Sequence, residues 1–424
     1  MKHSILVVVA MLFVFSFTVN AQDGSDLTYV KLNGKWGYVN KNGKEVIPLK
    51  YEGTSHFHEG TAVVSLNGKV GSILSTGKEL IPFKDWKVNK SSNLMVKMEG
   101  DYYAGFFDLK KGTHLPPNPK HDGAEDFSEG LAAVKSIYQQ ADDIFDPGMN
   151  ETKAKWGFID RTGKEVVPLK YEFARSFSEG LAAVSLNGKF GVIDKSGNEL
   201  SPFKYDYISE YKNGFAIIKL NEKYGFIDRT GNEITAIKYD DVRYFNENRA
   251  RVKLNGEWGF ISTTGNELIP LKYDRASNFS GGVAVVWKDR KAGSVDKYNN
   301  MTIRPFYDFI DIPSNGYAIA NSRRQYRILN LKEKKEIRLN KAYTSVDDLS
   351  EGIAIVELNG KYGYIDTTGK EITDIKYEKA NKFYNGMASV FVNGKWGYIN
   401  KSGKEIIPVK YDSVSELYGY SEFE

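Results

Sequence analysis

The 424 residues contain no cysteine. That excludes disulfides, thiolate metal sites and a lipid anchor on an N-terminal cysteine, so stability in an oxidising compartment must come from packing alone. Histidine is scarce, at five residues, and no Gly-x-Ser-x-Gly, His-Glu-x-x-His, Walker or dinucleotide motif occurs. Nucleophilic and metal catalysis therefore have little to work with. The sequence reads as a non-enzyme without a cofactor. A carboxylate-pair glycosidase is the one class left open, because Asp and Glu are plentiful everywhere. Net charge is also lacking: +4 on the whole chain argues against a nucleic-acid binder.

Long apolar runs are absent after the N-terminus. The one that exists, Ile5 to Val19, is broken by Ser16 and Thr18 alone and follows the basic Lys2 and His3. Val19-Asn20-Ala21 then supplies small or apolar residues at a cleavage site, so residues 1–21 read as a secretory signal peptide and Gln22 as the mature N-terminus. A membrane anchor is the alternative, but the run falls short of the ~20 residues a spanning helix needs. The expectation is an exported chain, periplasmic, cell-surface or secreted. It is neither a lipoprotein nor membrane-spanning, and it is monomeric.

What the sequence does have is glycine (40), tyrosine (27) and phenylalanine (24), without any long stretch of helical period. One glycine, in most copies preceded by an aromatic residue, recurs at Gly37, Gly71, Gly105, Gly157, Gly191, Gly225, Gly259, Gly293, Gly363 and Gly397. The usual step is 34 residues. A second ruler agrees: Tyr171, Tyr205, Tyr239, Tyr273, Tyr307, Tyr343, Tyr377 and Tyr411. Residues 22–424 therefore read as an array of about eleven copies of one unit.

The unit from Phe177 to Tyr205 shows the logic. Ser178-Glu179-Gly180 reads as a turn, Leu181 to Leu186 as a strand, and Asn187-Gly188 as a two-residue hairpin turn that needs positive φ twice. Lys189 to Asp194 returns. Asp194 to Gly197 is a second turn, capped by the Asp side chain, and Glu199 to Pro202 is a short third strand. The turn sets the register, pairing Leu186 with Lys189 and Val184 with Gly191. Gly191 would admit a neighbouring backbone or ring where a side chain would collide. Both faces of the hairpin are largely apolar, so a unit must be covered by its neighbours, and stability is shared along the array. The fold class is all-β: three-stranded units of ~34 residues in an open β-solenoid or superhelix. The alternative is propeller-like closure. One feature favours it: Ser413 to Glu424 looks like the start of another unit, which either completes the first unit or caps the last.

These residues carry a resemblance. Gly34 to Pro48, GKWGYVNKNGKEVIP, resembles the bacterial WG (or KWG) repeat, here with the pairs Trp36-Gly37, Trp156-Gly157, Trp258-Gly259 and Trp396-Gly397. Phe190, Tyr224 and Tyr362 replace the Trp elsewhere, and Val70 does so once. The resemblance covers nearly the whole mature chain. It implies a secreted or envelope-associated repeat protein with no general activity. The hairpin also resembles the shorter choline-binding cell-wall repeats, but Gly37 and its equivalents stand where those place another aromatic.

Two readings of function follow. One is an interaction scaffold for a protein or other anionic envelope partner. The other is a carbohydrate-binding module that uses the aromatic ladder. The ladder itself reads first as packing between units. The Asp-x-x-Gly turns read as turn caps, since calcium needs several oxygen ligands together. Regular units are interchangeable, so a specific partner needs an irregular place. Irregular units fall at 86–126 and 279–343, and an insertion at 136–154. The insertion is acidic, with Asp142, Asp143 and Asp146. Trp287 to Lys341 carries a net +7, with Arg323, Arg324, Arg327, Lys332, Lys334, Lys335 and Arg338 as the expected docking patch. A drifted, solvated surface is the plain alternative.

Overall fold

The computed structural model describes residues 26–57, 60–84, 88–92, 95–100, 103–108, 113–115, 121–138 and 153–415. The signal-peptide segment lies outside these residues, as does most of the insertion with Asp142, Asp143 and Asp146. Among the described residues the regular elements are all strands, and eleven small antiparallel sheets follow one another along the chain. No helix among them is long and apolar enough to cross a membrane.

The hairpin register is the expected one. Leu186 pairs with Lys189, Ser185 with Phe190, Val184 with Gly191 and Ala183 with Val192. Asn187 and Gly188 form the turn at φ 52° and 71°. Asp194 caps the second turn, its Oδ1 accepting the N–H groups of Ser196 and Asn198, both at 2.9 Å. The structure adds a strand to the three expected. A two-residue strand such as Phe173–Ala174 or Asp241–Val242 precedes nine of the eleven hairpins and pairs with the first strand. Eight sheets are thus four-stranded and three are three-stranded. In the latter the final segment touches only through isolated bridges such as Phe190 with Tyr205.

Nine of the ten cores among the described residues are shared by two sheets. Phe260, Ile269 and Tyr273 of the seventh pack with Ala276, Phe279, Ala284, Val286 and Val295 of the eighth. Polar ladders run the same way. Ser178 donates to the Tyr211 carbonyl at 2.6 Å, and the Glu179 carboxylate accepts the Gly214 N–H at 2.8 Å. Ser350 and Glu351 repeat both bonds toward Phe383 and Gly386. The recurring Ser-Glu-Gly is therefore more than a turn, because its side chains clamp the next turn. The recurring Tyr acts likewise: the Tyr205 hydroxyl donates to Glu233 at 2.9 Å and the Tyr343 hydroxyl to Glu371 at 2.7 Å. A buried hydroxyl needs such a partner.

The family glycine answers to the third strand. That strand is bulged, with register shifts on either side of Phe260, the first of them spanning Gly259. A Cβ on Gly259 would meet Ile269 O at 2.5 Å and Leu271 N at 2.8 Å. We expect Gly259→Ala to cost about 1–3 kcal/mol, the usual penalty for overpacking against atoms that cannot yield. Urea melts would read this, and an unchanged midpoint would show that the bulge relaxes freely. The ninth sheet tests the idea naturally. There Arg327 replaces the glycine, and its third strand, Lys335–Arg338, pairs without a bulge: Arg327 with Arg338, Ile328 with Ile337. The lost hairpin glycines of the irregular units are also accommodated. Arg323 and Arg324 take the turn at φ 53° and 64°.

The two ends of the array meet. Ser413–Val414 pairs with the first strand, Leu27–Leu32, placing Val30 opposite Val414 and Lys31 opposite Ser413. Val30 and Val39 share a core with Tyr398, Ile407 and Tyr411. The C-terminal segment thus completes the first sheet, one of the two roles its sequence left open.

Candidate functional site

A cavity of about 570 Å³ opens among the seventh, eighth and ninth sheets. Its walls come from columns of the repeat where this stretch departs from the pattern. Arg251 pairs with Phe260, in the column that holds Ala183, Ile217, Val285 and Ile319 in other sheets. Its guanidinium lies 5.5 Å from the Trp258 ring centre and bonds the Ala276 carbonyl. Arg243 stands 5.8 Å from the same ring, pairs with Asp241 and donates to the Val242 carbonyl at 2.8 Å.

The eighth sheet moves its indole across the hairpin. Ala292 fills the ladder position, and Trp287 sits directly opposite on the other strand. Arg275 lies 5.1 Å from the Trp287 ring centre. Three guanidinium groups and two indoles thus line one cavity. Stacking on an aromatic face holds a guanidinium plane while its edge N–H groups remain usable.

The ninth sheet closes the cavity with Phe309, Ile310, Asp311 and Ile312. Phe309 and Ile312 are each 53% exposed, whereas Asp311 is only 8% exposed. The Asp311 column is mixed, with Glu125, Arg175, Arg243, Asp347 and Asn381 in other sheets alongside the serines Ser55, Ser209 and Ser277. Their hydroxyls accept the strand amides of Val63, Ile217 and Val285, and donate to the following residue's carbonyl. Asp311 keeps the first bond, accepting the Ile319 N–H at 2.8 Å. Its other oxygen, Oδ2, is buried with no hydrogen-bond partner among the described residues. Burial pushes the Asp311 carboxyl up to about 8. The Ile319 N–H pulls against this, Asp348 adds to it, and Lys382 opposes it. At neutral pH the raised value favours the uncharged form of the acid.

The ladder rings Trp36, Trp156, Trp258 and Trp396 are half-buried. Trp36 and Trp258 pack against the shared cores, and Lys31, Lys135 and Lys253 lie over Trp36, Trp156 and Trp258. Gly37, Gly157, Gly259 and Gly397 all sit under third-strand backbone. The expected basic patch is partly neutralised. Arg327 pairs with Glu336 at 2.9 Å and Lys335 with Glu333 at 2.8 Å. Arg323 uses its backbone N–H on Asp308 at 2.8 Å. The Lys332 stem covers Gly316, Lys334 sits in a turn at φ 57°, and Arg338 ends the strand opposite Arg327. Of the cavity's arginines, none belongs to the patch. A signal for them existed: Arg249-Ala250-Arg251 stands where other units read Leu-Ala-Ala or Phe-Ala-Ile.

Among solved structures, the chain is similar to that of a eukaryotic initiation factor, at 12% identity and a TM-score of 0.39. The match covers 82% of this chain and 94% of that one. It is also similar to Kluyveromyces lactis Hsv2p, at 10% identity and a TM-score of 0.30, over 52% of this chain and 89% of that one. No curated protein matches the sequence. The model of the WG containing repeat matches residues 36–69, 156–190, 190–224, 224–258, 258–291, 332–362, 362–396 and 396–421. With most of its described sheets inside those matches, the chain belongs to the WG repeat family.

Proposed function

We propose that the chain is an exported, non-catalytic interaction scaffold that holds an anionic partner at the cleft of the seventh to ninth sheets. The observation that carries this reading is the convergence of Arg243, Arg251 and Arg275 on one cavity beside Trp258 and Trp287. An array of interchangeable units has no unique address, and this cleft provides one. Export rests on the signal-peptide pattern of residues 1–21. The carbohydrate reading has less support, because the ladder rings are half-buried and carry cations where a sugar ring would stack.

The reading is tested by titrating the chain with poly-L-glutamate and with polygalacturonate. Binding is expected at 0.1 M salt and should be lost at 1 M, as the Debye length falls from ~10 to ~3 Å. Failure of both polyanions to bind at 0.1 M would overturn it. The cleft variant Arg243→Ser, Arg251→Ile, Arg275→Tyr restores residues that the sixth sheet carries in those columns, Ser209, Ile217 and Tyr207. It should bind about tenfold more weakly or worse, since hydrogen bonds to charged groups are worth roughly 1.5–3 kcal/mol each. Arg323→Asn with Arg324→Gly restores the ordinary hairpin turn and removes two patch charges. If that variant loses more affinity than the cleft variant, the patch rather than the cleft is the docking place.

A further inference from the structure

The identity of the anion can be narrowed, on the strength of the anionic-partner reading above. We propose that the cleft binds an acidic peptide segment in which a carboxylate side chain is flanked by a large apolar one. The carboxylate follows from the arginines. Arg251 and Arg243 are placed over one indole and Arg275 over another, and a guanidinium edge matches a carboxylate with two parallel hydrogen bonds. The apolar neighbour follows from the rim. The four most exposed large apolar side chains among the described residues are Tyr298 (72%), Phe306 (62%), Phe309 and Ile312. All fall within fifteen residues of the eighth and ninth sheets, and the last two line the cavity. Phe309 and Ile312, more than half exposed at the rim, offer an apolar contact beside the arginines.

Asp311 adds an independent pointer. Ser55, Ser209 and Ser277 in its column each satisfy both hydrogen-bonding directions, whereas Asp311 Oδ2 is buried in the cavity wall without a partner among the described residues. A buried polar atom of this kind calls for a ligand group. The uncharged acid offers an O–H donor, and a peptide carbonyl accepts it. Together the lining supplies donors and two exposed apolar contacts. An acidic saccharide would use the donors but would leave Phe309 and Ile312 exposed. The cavity volume lies in the ordinary range for ligand sites, ~300–1,000 Å³.

The probe is a capped heptapeptide alternating glutamate with leucine and phenylalanine. It is compared with its glutamine version, its serine-for-apolar version and a galacturonate hexamer. Binding to the full chain is read from tryptophan fluorescence and by calorimetry. The acidic apolar peptide should bind. Either altered peptide should bind about tenfold more weakly, the size of loss expected when one charged hydrogen-bonding group or one buried side chain is removed. Arg275→Phe, which copies Phe309 at an exposed position of the same column, and Asp311→Ser should each weaken the peptide several-fold with unchanged far-UV circular dichroism. If the hexamer binds through the arginines and the peptide does not, the peptide proposal falls and the anionic-partner reading stands. If neither binds, both fall. Equal binding of the glutamine peptide would also overturn the proposal.

Discussion

Deleting Asp412–Glu424 should destabilise the chain by about 5 kcal/mol and promote its association. The segment from Asp412 to Ser415 makes main-chain hydrogen bonds along the first strand, including Asp412 N–H to the Lys31 carbonyl at 2.8 Å and Ser415 N–H to the Tyr29 carbonyl at 2.9 Å. Tyr398 adds a donor to the Ser415 carbonyl at 2.7 Å, and Thr28 bonds the Ser415 hydroxyl. Each such bond contributes about 1 kcal/mol net, and Val414 contributes apolar burial at the seam of the first and last sheets. Removing them also bares the edge of Leu27–Leu32, and an unpaired edge invites another chain. Thermal melts and size-exclusion chromatography of the truncated chain test both consequences. A monomer with an unaltered melt would show that the end-to-end pairing carries no weight.

That pairing was half-visible in the sequence, and the reason is instructive. Tyr411-Asp412 repeats the Tyr-Asp start of other units, so a new unit visibly begins there. Whether it joins the first unit or caps the last depends on curvature accumulated over the array, which no local pattern records. The strands themselves were legible because Asn-Gly turns and alternation act over a few residues. Leu186 lies opposite Lys189 as its turn demands. The two-residue strands, such as Phe173–Ala174, were not legible, because two residues carry no period. The role of Ser178 and Glu179 in clamping the next unit was equally hidden, since it joins residues 33 and 35 apart.

The cleft was missed for a related reason. Charge counted along the chain finds Arg323 to Arg338, a run in one unit, yet Arg327 meets Glu336 on the adjacent strand and Lys335 meets Glu333 in the turn before its own strand. In a repeat fold, neighbours in space lie about one unit apart in sequence. Arg243 and Arg275 come together across adjacent sheets although they are distant along the chain. Comparing units column by column, rather than scanning residues in order, reveals Arg251 at the Ala183 position, Arg243 and Arg275 at the Ser209 and Tyr207 positions, and a buried carboxylate, Asp311, aligned with Ser209 and Ser277.

That carboxylate gives the second large effect. Asp311→Ser should stabilise the folded chain by several kcal/mol at pH 9 and by almost nothing at pH 4. The folded-state value stands at about 8 against an ordinary 3.8, chiefly through burial. Below pH 4 the group is protonated in both folded and unfolded chains and contributes nothing. Between pH 4 and 8 the unfolded chain releases the proton while the folded chain retains it. Stability therefore falls across that window by up to about 1.4 kcal/mol per pH unit, and stays reduced above it. Serine removes the titration and restores the hydroxyl that Ser209 and Ser277 use to accept a strand amide and donate to a carbonyl. Taking the variant-minus-wild-type difference in urea midpoints at several pH values cancels the other titrating groups, including Asp347, whose carboxyl burial also raises. A difference that stays flat from pH 4 to 9 would defeat the account. A rising difference would mean that this unit carries a strained acid where the preceding unit carries a satisfied hydroxyl, Ser277. Such a departure from the array's own stable solution belongs at a binding site, where consistency with the fold is sacrificed for a ligand.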